Sequence, residues 1–370
     1  MFFHHFFRSV LFSYCFFAIF PILFCNFFQR HTAFDSIQVI PYFLIFRLPF
    51  LSVLTKTAQS AAVYPLTDHH LYGNIVLIMD NFVLAERNLN MRIKITSDST
   101  CDLSSALLQK YDITLANLLV IKDGESYTDG ISITPADIFA HVAAGGDLCS
   151  TAALGVGQYQ DLFSLYVSDY DAVVHISISS EFSSSYQNAC IAAGEFDNVR
   201  VIDSRNLSTG QGLVVLAACD LRETVSSVDE LCDRLNEFTG KVEASFLLSQ
   251  LAYMVKGGRC SSATALGANL LNLKPCIEVR DGKMSVVKKY RGNFAKCLSS
   301  YVKDRLDSRD DLDGKRLFVT KTPVSDDCYQ AVMNAVTEYG HFEEVYETDA
   351  GCTVSCHCGP GTLGVLFVRK

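Results

Sequence analysis

The chain has 370 residues, 49% hydrophobic and 19% charged, with no Trp, a balance that fits a folded protein of about two domains. Its formal charge of -9 and the lack of any Lys/Arg run exclude nucleic acid as a partner, because neutralising phosphates takes clustered cations.

Residues 1–90 stand apart from the rest. No charge falls between Ser9 and Gln29, and sixteen of the 26 Phe precede Met91. An apolar run of that length can span a bilayer. Against an anchor or signal stand the Phe bias, Pro21 inside the run, the missing small-residue cleavage site and the patternless stretch up to Asn90. Met91 is therefore expected to be the true start, with a membrane anchor as the alternative. The expected location is cytoplasmic, membrane-anchored only if residues 1–90 are genuinely translated. Of fourteen Cys, the twelve after Met91 follow no disulfide spacing and read as reduced thiols.

From Met91 the pattern alternates between strand and helix. Arg92–Ser97 reads as a strand, and Asp102 as the cap of a helix over Leu103–Tyr111. A strand over Ile113–Ile121 and a helix over Pro135–Ala144 follow, the latter begun by its Pro. Val156–Ser168 reads as a helix with Tyr159, Leu162, Phe163 and Tyr166 on one face. Ala172–Ile178, a Val/Ile run broken by His175, suits a buried parallel strand. Ser184–Phe196, Val199–Ile202 and Gly212–Thr224 continue as helix, strand and helix.

A second unit is expected from about Gly240, giving lobes at 91–240 and 241–370. Its elements are a strand at Val242–Leu248, short helices over Ser249–Lys256 and Ala263–Leu271, and a hairpin over Ile277–Val287 turning at Asp281-Gly282. Asn293–Arg305 and Ser325–Tyr339 read as helices, with strands at Lys315–Lys321, Glu343–Glu347 and Gly364–Arg369. The fold class is α/β, two lobes with a mostly parallel sheet in the first, a mixed sheet in the second and the ligand between them.

Polar segments gather where strands end: SDSTCD, STAALGVGQY, SISSEFSSSYQ and DSRNLSTGQG. Carboxyl ends of parallel strands and the N-termini of the next helices form an anion-binding edge, and Ser and Thr hydroxyls can grip a carboxylate without adding charge. Taken singly, each such Ser, like Asp98 and Asp102, is an ordinary cap or turn residue.

A serine hydrolase needs a base within reach of its nucleophile; no G-x-S-x-G elbow exists, though His357 could serve Ser180 or Ser183, acting on a lipid ester. No Walker loop is present. GPGTLG fits a dinucleotide template, but it runs into a strand and contains Pro360. Cys356-His357-Cys358 lacks a second ligand cluster, so no metal is expected; SCHCGPGTLG reads as a strand presenting His357 to the cleft, a turn at Gly359-Pro360-Gly361, and a last strand.

Eight segments in order, SDSTCDL, STAALGVGQY, ISSEFSSSYQNA, VIDSRNLSTGQGL, MVKGGRCSS, LKPCIEV, YRGNFAK and HCGPGTLG, resemble the motifs of the DegV family of bacterial fatty acid-binding proteins from Met91 to Lys370. The resemblance implies two α/β lobes clasping one long-chain fatty acid, with Thr151 and Ser183 on the carboxylate, Ser180 close by and His357 completing the site. It puts Arg259, Arg291 and Ser99 in the head-group neighbourhood or on a docking face. It further implies a lipid carrier rather than an enzyme, without cofactor, which presents the acyl carboxylate to the catalytic subunit of a fatty acid kinase for acyl phosphate formation in lipid metabolism. Without such a partner the role becomes that of a fatty acid buffer or transporter. A monomer is implied, with no stable membrane insertion of 91–370. The chain departs from the family pattern at Ala152, Leu154 and Glu181, where a polar residue, Pro and Gly are usual.

Overall fold

The computed structural model describes residues 91–265 and 273–370. The hydrophobic extension, and the end of the helix expected over Ala263–Leu271, lie outside the described residues. The described residues fall in one compact unit.

Chain order runs β1 (Ile93–Asp98), a 3-10 turn (Ser99–Cys101), α1 (Ser105–Tyr111), β2 (Thr114–Ala116), β3 (Leu119–Lys122), β4 (Glu125–Thr128), α2 (Pro135–Ala143), β5 (Ser150–Ala152) and α3 (Val156–Ser164). It continues with β6 (Ala172–Ser177), α4 (Ser185–Ala193), β7 (Val199–Asp203), α5 (Ser208–Leu221) and α6 (Val228–Thr239). The first sheet, in order β2-β1-β6-β7, is wholly parallel. A smaller antiparallel sheet, β4-β3-β5, stands beside it.

The remaining elements are β8 (Val242–Leu248), α7 (Ala252–Gly257), α8 (Ser261–Ala265), β9 (Leu273–Arg280), β10 (Lys283–Arg291), α9 (Phe294–Leu306), β11 (Leu312–Lys321), α10 (Asp326–Tyr339), β12 (Glu344–Asp349), α11 (Cys352–Cys358) and β13 (Thr362–Arg369). They build a mixed six-stranded sheet, β10-β9-β8-β13-β11-β12, in which β13 is antiparallel to both its neighbours. The β9–β10 hairpin turns at Asp281 and Gly282, both at positive φ (51° and 80°), as a type I′ turn requires.

The α/β class with one parallel and one mixed sheet is as expected. Packing explains why the two sheets sit in one unit. Ser208 through Cys219 of α5 are all buried, the mark of a helix covered on every side. One apolar cluster runs from Ile95, Val174 and Ile176 of the first sheet through Val214 and Leu216 of α5 to Phe246, Leu248 and Ile277 of the second. Tyr159 and Phe163 of α3 and Ala189 and Ala192 of α4 cover the opposite face of the first sheet.

Four local expectations are corrected. Asp102 is not a helix cap: it ends the 3-10 turn in left-handed geometry, and Ser104 caps α1 by accepting from Leu107 N. The segment 113–121 is not one strand but two, β2 and β3, in different sheets. A whole helix, α6, lies ahead of Gly240 with Leu231 and Leu235 buried. Finally, Cys352–Cys358 is a helix, not a strand.

Candidate functional site

The last correction governs the site, because α11 carries His357. CTVSCHC has poor intrinsic helix propensity, so its helicity comes from outside the segment. Asp129, buried just after β4, accepts from Cys352 N (2.9 Å), Thr353 N (3.2 Å) and Thr353 Oγ1 (2.7 Å), capping the helix from another part of the chain. Asp102 accepts from Gly351 N (2.9 Å) and from Ser208 Oγ (2.6 Å) of α5. Burial pushes the Asp102 carboxyl up to about 8, against the pull of these two donors. Along the helix, Cys352 and Cys356 at i and i+4 pack with Val120, Ile133, Ile138 and Cys149. Burial pushes the Cys352 thiol up to about 12 and that of Cys356 higher still, so these are core residues rather than reactive ones. At the other end, Gly359 takes φ 72°, and its Cα lies so close to the Tyr253 ring that a Cβ would stand 2.5 Å from it.

The helix thus held delivers His357 Nε2 to 2.8 Å from Thr151 Oγ1 on β5. Nδ1 is buried without a hydrogen-bond partner and faces Gly257, where a Cβ would lie 2.4 Å away. Burial, together with the nearby Arg259 guanidinium, pushes the imidazole down to about 4, so at neutral pH it is uncharged. Arg259 is pinned between Gly257 O (2.7 Å, Nη1) and Phe182 O (3.3 Å, Nε), which places it beside the loop that bears Ser183. Ser183 Oγ pairs with Ser185 Oγ (2.9 Å) and accepts from Ser185 N at the start of α4.

The structure therefore brings Thr151 and His357 into contact and links His357 through Arg259 to the Ser183 loop. It separates the other three expected residues from that group. The Ser180 hydroxyl donates to Asp203 Oδ2 (2.6 Å), so its proton is already committed. Ser99 is buried, donating to Asp129 Oδ2 (3.0 Å) and accepting from Leu118 N, so it supports the cap of α11. Arg291 is exposed at the end of β10, and no hydrogen bond or ion pair among the described residues ties it to the cluster. Sequence reasoning missed Asp129, which sits in an Asp-Gly pair that looks like any turn, and Gly257, whose role depends on what packs against it.

The hydrolase alternative fits this geometry poorly. The hydroxyl bonded to His357 is that of Thr151, while Ser180 and Ser183 bond elsewhere. A second constellation, Thr96 Oγ1 to His175 Nδ1 (3.0 Å) and His175 Nε2 to Asp98 Oδ1 (3.3 Å), has the atoms of a hydrolytic relay, but all three side chains are wholly buried. Burial opposes the charge on Asp98, yet hydrogen bonds from His175, Tyr159 and Ser177 outweigh it and hold the carboxyl below the usual range. This relay ties β1 to β6 inside the first sheet.

α11 also turns Val354 and Cys358 toward an apolar cavity of about 30 Å³, lined further by Leu207, Phe246, Val279 and Leu366 but by none of Thr151, Ser183, His357 and Arg259. Among the described residues no helix is long and apolar enough to cross a membrane.

The motifs and the arrangement agree with comparisons to known proteins. A family model described as "Uncharacterised protein, DegV family" matches residues 92–370. A DegV domain-containing protein of Clostridium acetobutylicum is 31% identical over 283 residues, covering 75% of this chain and 99% of the relative. Among solved structures, a fatty acid-binding DegV family protein from Thermus thermophilus aligns with a TM-score of 0.68 at 28% identity, over 76% of this chain and 100% of its own. DegV of Bacillus subtilis, a fatty acid binding protein, aligns with a TM-score of 0.64 at 25% identity, over 76% of this chain and 100% of its own. The chain belongs to the DegV family.

Proposed function

We propose that this protein binds one long-chain fatty acid, its carboxylate at Thr151, Ser183 and His357 and its tail in the apolar interior between α11 and the six-stranded sheet. The observation that carries this reading is the Thr151–His357 contact of 2.8 Å beside Arg259, a set of donors with an uncharged imidazole at its centre, set against an apolar wall. Relatives from Thermus thermophilus and Bacillus subtilis that bind fatty acids support the ligand class.

The energetics suit such a ligand. About fifteen buried methylenes at roughly 0.8 kcal/mol each give a gross gain near 12 kcal/mol, so the tail supplies the affinity and the head group needs only to be satisfied. Hydroxyls and a neutral ring do this without the desolvation cost of a buried Lys. The cavity of about 30 Å³ has room for about two waters, so the tail enters by moving side chains of the surrounding core.

The carrier hands its ligand on. A carboxylate oxygen attacks the γ-phosphorus of ATP held by a separate kinase subunit, giving acyl phosphate and ADP. In this reading Arg259 meets the negative charge that grows during that transfer, and the exposed Arg291 serves docking. The same reading makes the protein a cytoplasmic monomer of two lobes, 91–240 and 241–370.

Native followed by denaturing mass spectrometry of the purified full chain tests the ligand. A released C14–C18 fatty acid supports the reading, and apo protein that ignores added palmitate and oleate overturns it. With an ATP-dependent kinase added, Arg291→Ala is expected to reduce phosphorylation more than lipid binding. Equal loss of both removes the presenting role.

A further inference from the structure

The loop bearing Ser183 is gripped by a hairpin of the second sheet as well as by Arg259. The tip of the β9–β10 hairpin inserts between the loop after β6 and the loop after β7. Ser179 Oγ donates to Gly282 O (2.9 Å), and Arg205 Nη2 donates to Asp281 O (2.7 Å). Lys283 Nζ lies 3.5 Å from Glu181 Oε2. The fit is close: a Cβ on Gly282 would stand 2.8 Å from Ser179 Oγ, 3.5 Å from Glu181 Cγ and 3.8 Å from Arg205 Cα.

Ser179 is the anchor of that loop. Its carbonyl accepts from Phe182 N (2.9 Å) and Ser183 N (3.4 Å), and its hydroxyl accepts from Glu181 N (3.3 Å). Arg205 is itself fixed in left-handed geometry, φ 50°, with its N–H on Asp203 Oδ1 (2.8 Å), and Asp203 also holds Ser180. The tip thus touches the residue whose backbone sets the position of Ser183.

We infer that the Asp281–Gly282 tip is a positioning element for the head-group site: its docking on Ser179 and Arg205 holds Ser183 in register with Thr151 and His357, so carboxylate binding and tip docking favour each other. The inference rests on the fatty acid reading above. Linkage makes the coupling reciprocal. Undocking the tip weakens binding of an acid, and a bound acid protects the tip. A ligand with the same tail and no carboxylate is indifferent to it.

The test uses the full chain, wild type and two variants. Gly282→Ala places a Cβ against Ser179 at a positive φ, and Arg205→Ala removes the bond to Asp281 while leaving the turn intact. Affinity for palmitate and for 1-hexadecanol is measured by displacement of a fluorescent fatty acid, with hydrogen exchange followed at Ser179–Ser183. The expected result is an affinity for palmitate lower by on the order of tenfold in both variants, an unchanged affinity for hexadecanol, and faster exchange in the loop. Wild-type protein that binds palmitate, with both variants binding it equally well and exchanging alike, overturns the inference, as does equal loss of acid and alcohol. Wild-type protein that binds neither ligand overturns the fatty acid reading itself.

Discussion

Asp129 is the residue on which the placement of His357 most depends, and its removal makes a quantitative forecast. The carboxylate is 3% exposed and accepts from four donors: Ser99 Oγ, Cys352 N, Thr353 N and Thr353 Oγ1. In Asp129→Ala the two hydroxyls can turn toward other acceptors, but the two backbone N–H groups at the start of α11 cannot. Each buried orphan costs about 1–3 kcal/mol, and loss of a cap alone costs about 0.5–2 kcal/mol. The expected destabilisation is about 3–5 kcal/mol, a large part of the roughly 5–15 kcal/mol that holds a typical domain. Asp129→Asn keeps one acceptor oxygen, and the hydroxyls can accept from its amide. One backbone N–H is left facing NH2, so the cost falls to about 1–3 kcal/mol. Urea unfolding of the full-length variants gives both numbers, and palmitate displacement shows whether His357 has moved. If Asp129→Ala unfolds within about 0.5 kcal/mol of wild type, α11 does not depend on this cap and the account of its helicity is wrong.

Gly257→Ala forces a Cβ to 2.4 Å from His357 Nδ1; displacement of the ring from Thr151 should cost about 1–3 kcal/mol of stability and weaken palmitate binding at least about tenfold, read by calorimetry. Thr151→Val leaves Nε2 without its partner and should lower palmitate affinity about tenfold while sparing hexadecanol, which a parallel titration reports. His357, pushed down to about 4, binds a proton less readily when folded than when unfolded, so its share of stability is complete above about pH 6.5 and is lost as pH falls toward 4. His357→Gln should flatten that part of the stability–pH curve, and an NMR titration placing the ring near 6.5 would contradict the buried environment described here. Asp102 has the opposite sign: with its folded value near 8, its share of stability grows as pH falls from 8 toward 4, and Asp102→Asn should remove that rise in an unfolding series.

Much of the fold was legible because its signals are local. Val242–Leu248 was read to the residue, and the Asp281-Gly282 turn announced itself by composition. Ser325 and Asn293 marked the starts of α10 and α9. Thr151, Ser183, His357 and Arg259 were singled out through motif resemblance rather than through chemistry read from single residues, and the structure joins Thr151 to His357 and Arg259 to the Ser183 loop. What sequence could not give was tertiary. The helix at Cys352–Cys358 exists because Asp129 and Asp102, more than two hundred residues earlier, accept its first N–H groups. A Thr/Val/Cys-rich run with alternating character reads as strand when that cap is invisible. Ser180 and Ser99 match the family's motifs as well as Ser183 does, and their bonds to Asp203 and Asp129 are visible only in the folded chain.

The strand order of the second sheet bears on how the protein is made. β8 and β11 are neighbours in space only through β13, which comes after every other strand of the sheet in the chain. While the ribosome works, the hairpin with β8 and the β11–β12 pair exist as two fragments with open edges, each able to pair with a wrong partner. The long sequence separation between β8 and β13 makes this closure slow as well as late. The candidate site inherits the delay, since α11 precedes β13 directly and packs against α7 as well as α2, β3 and β5. A nascent chain stalled before Thr362 should therefore carry a finished first sheet, hold no ligand, and be a natural client for chaperones.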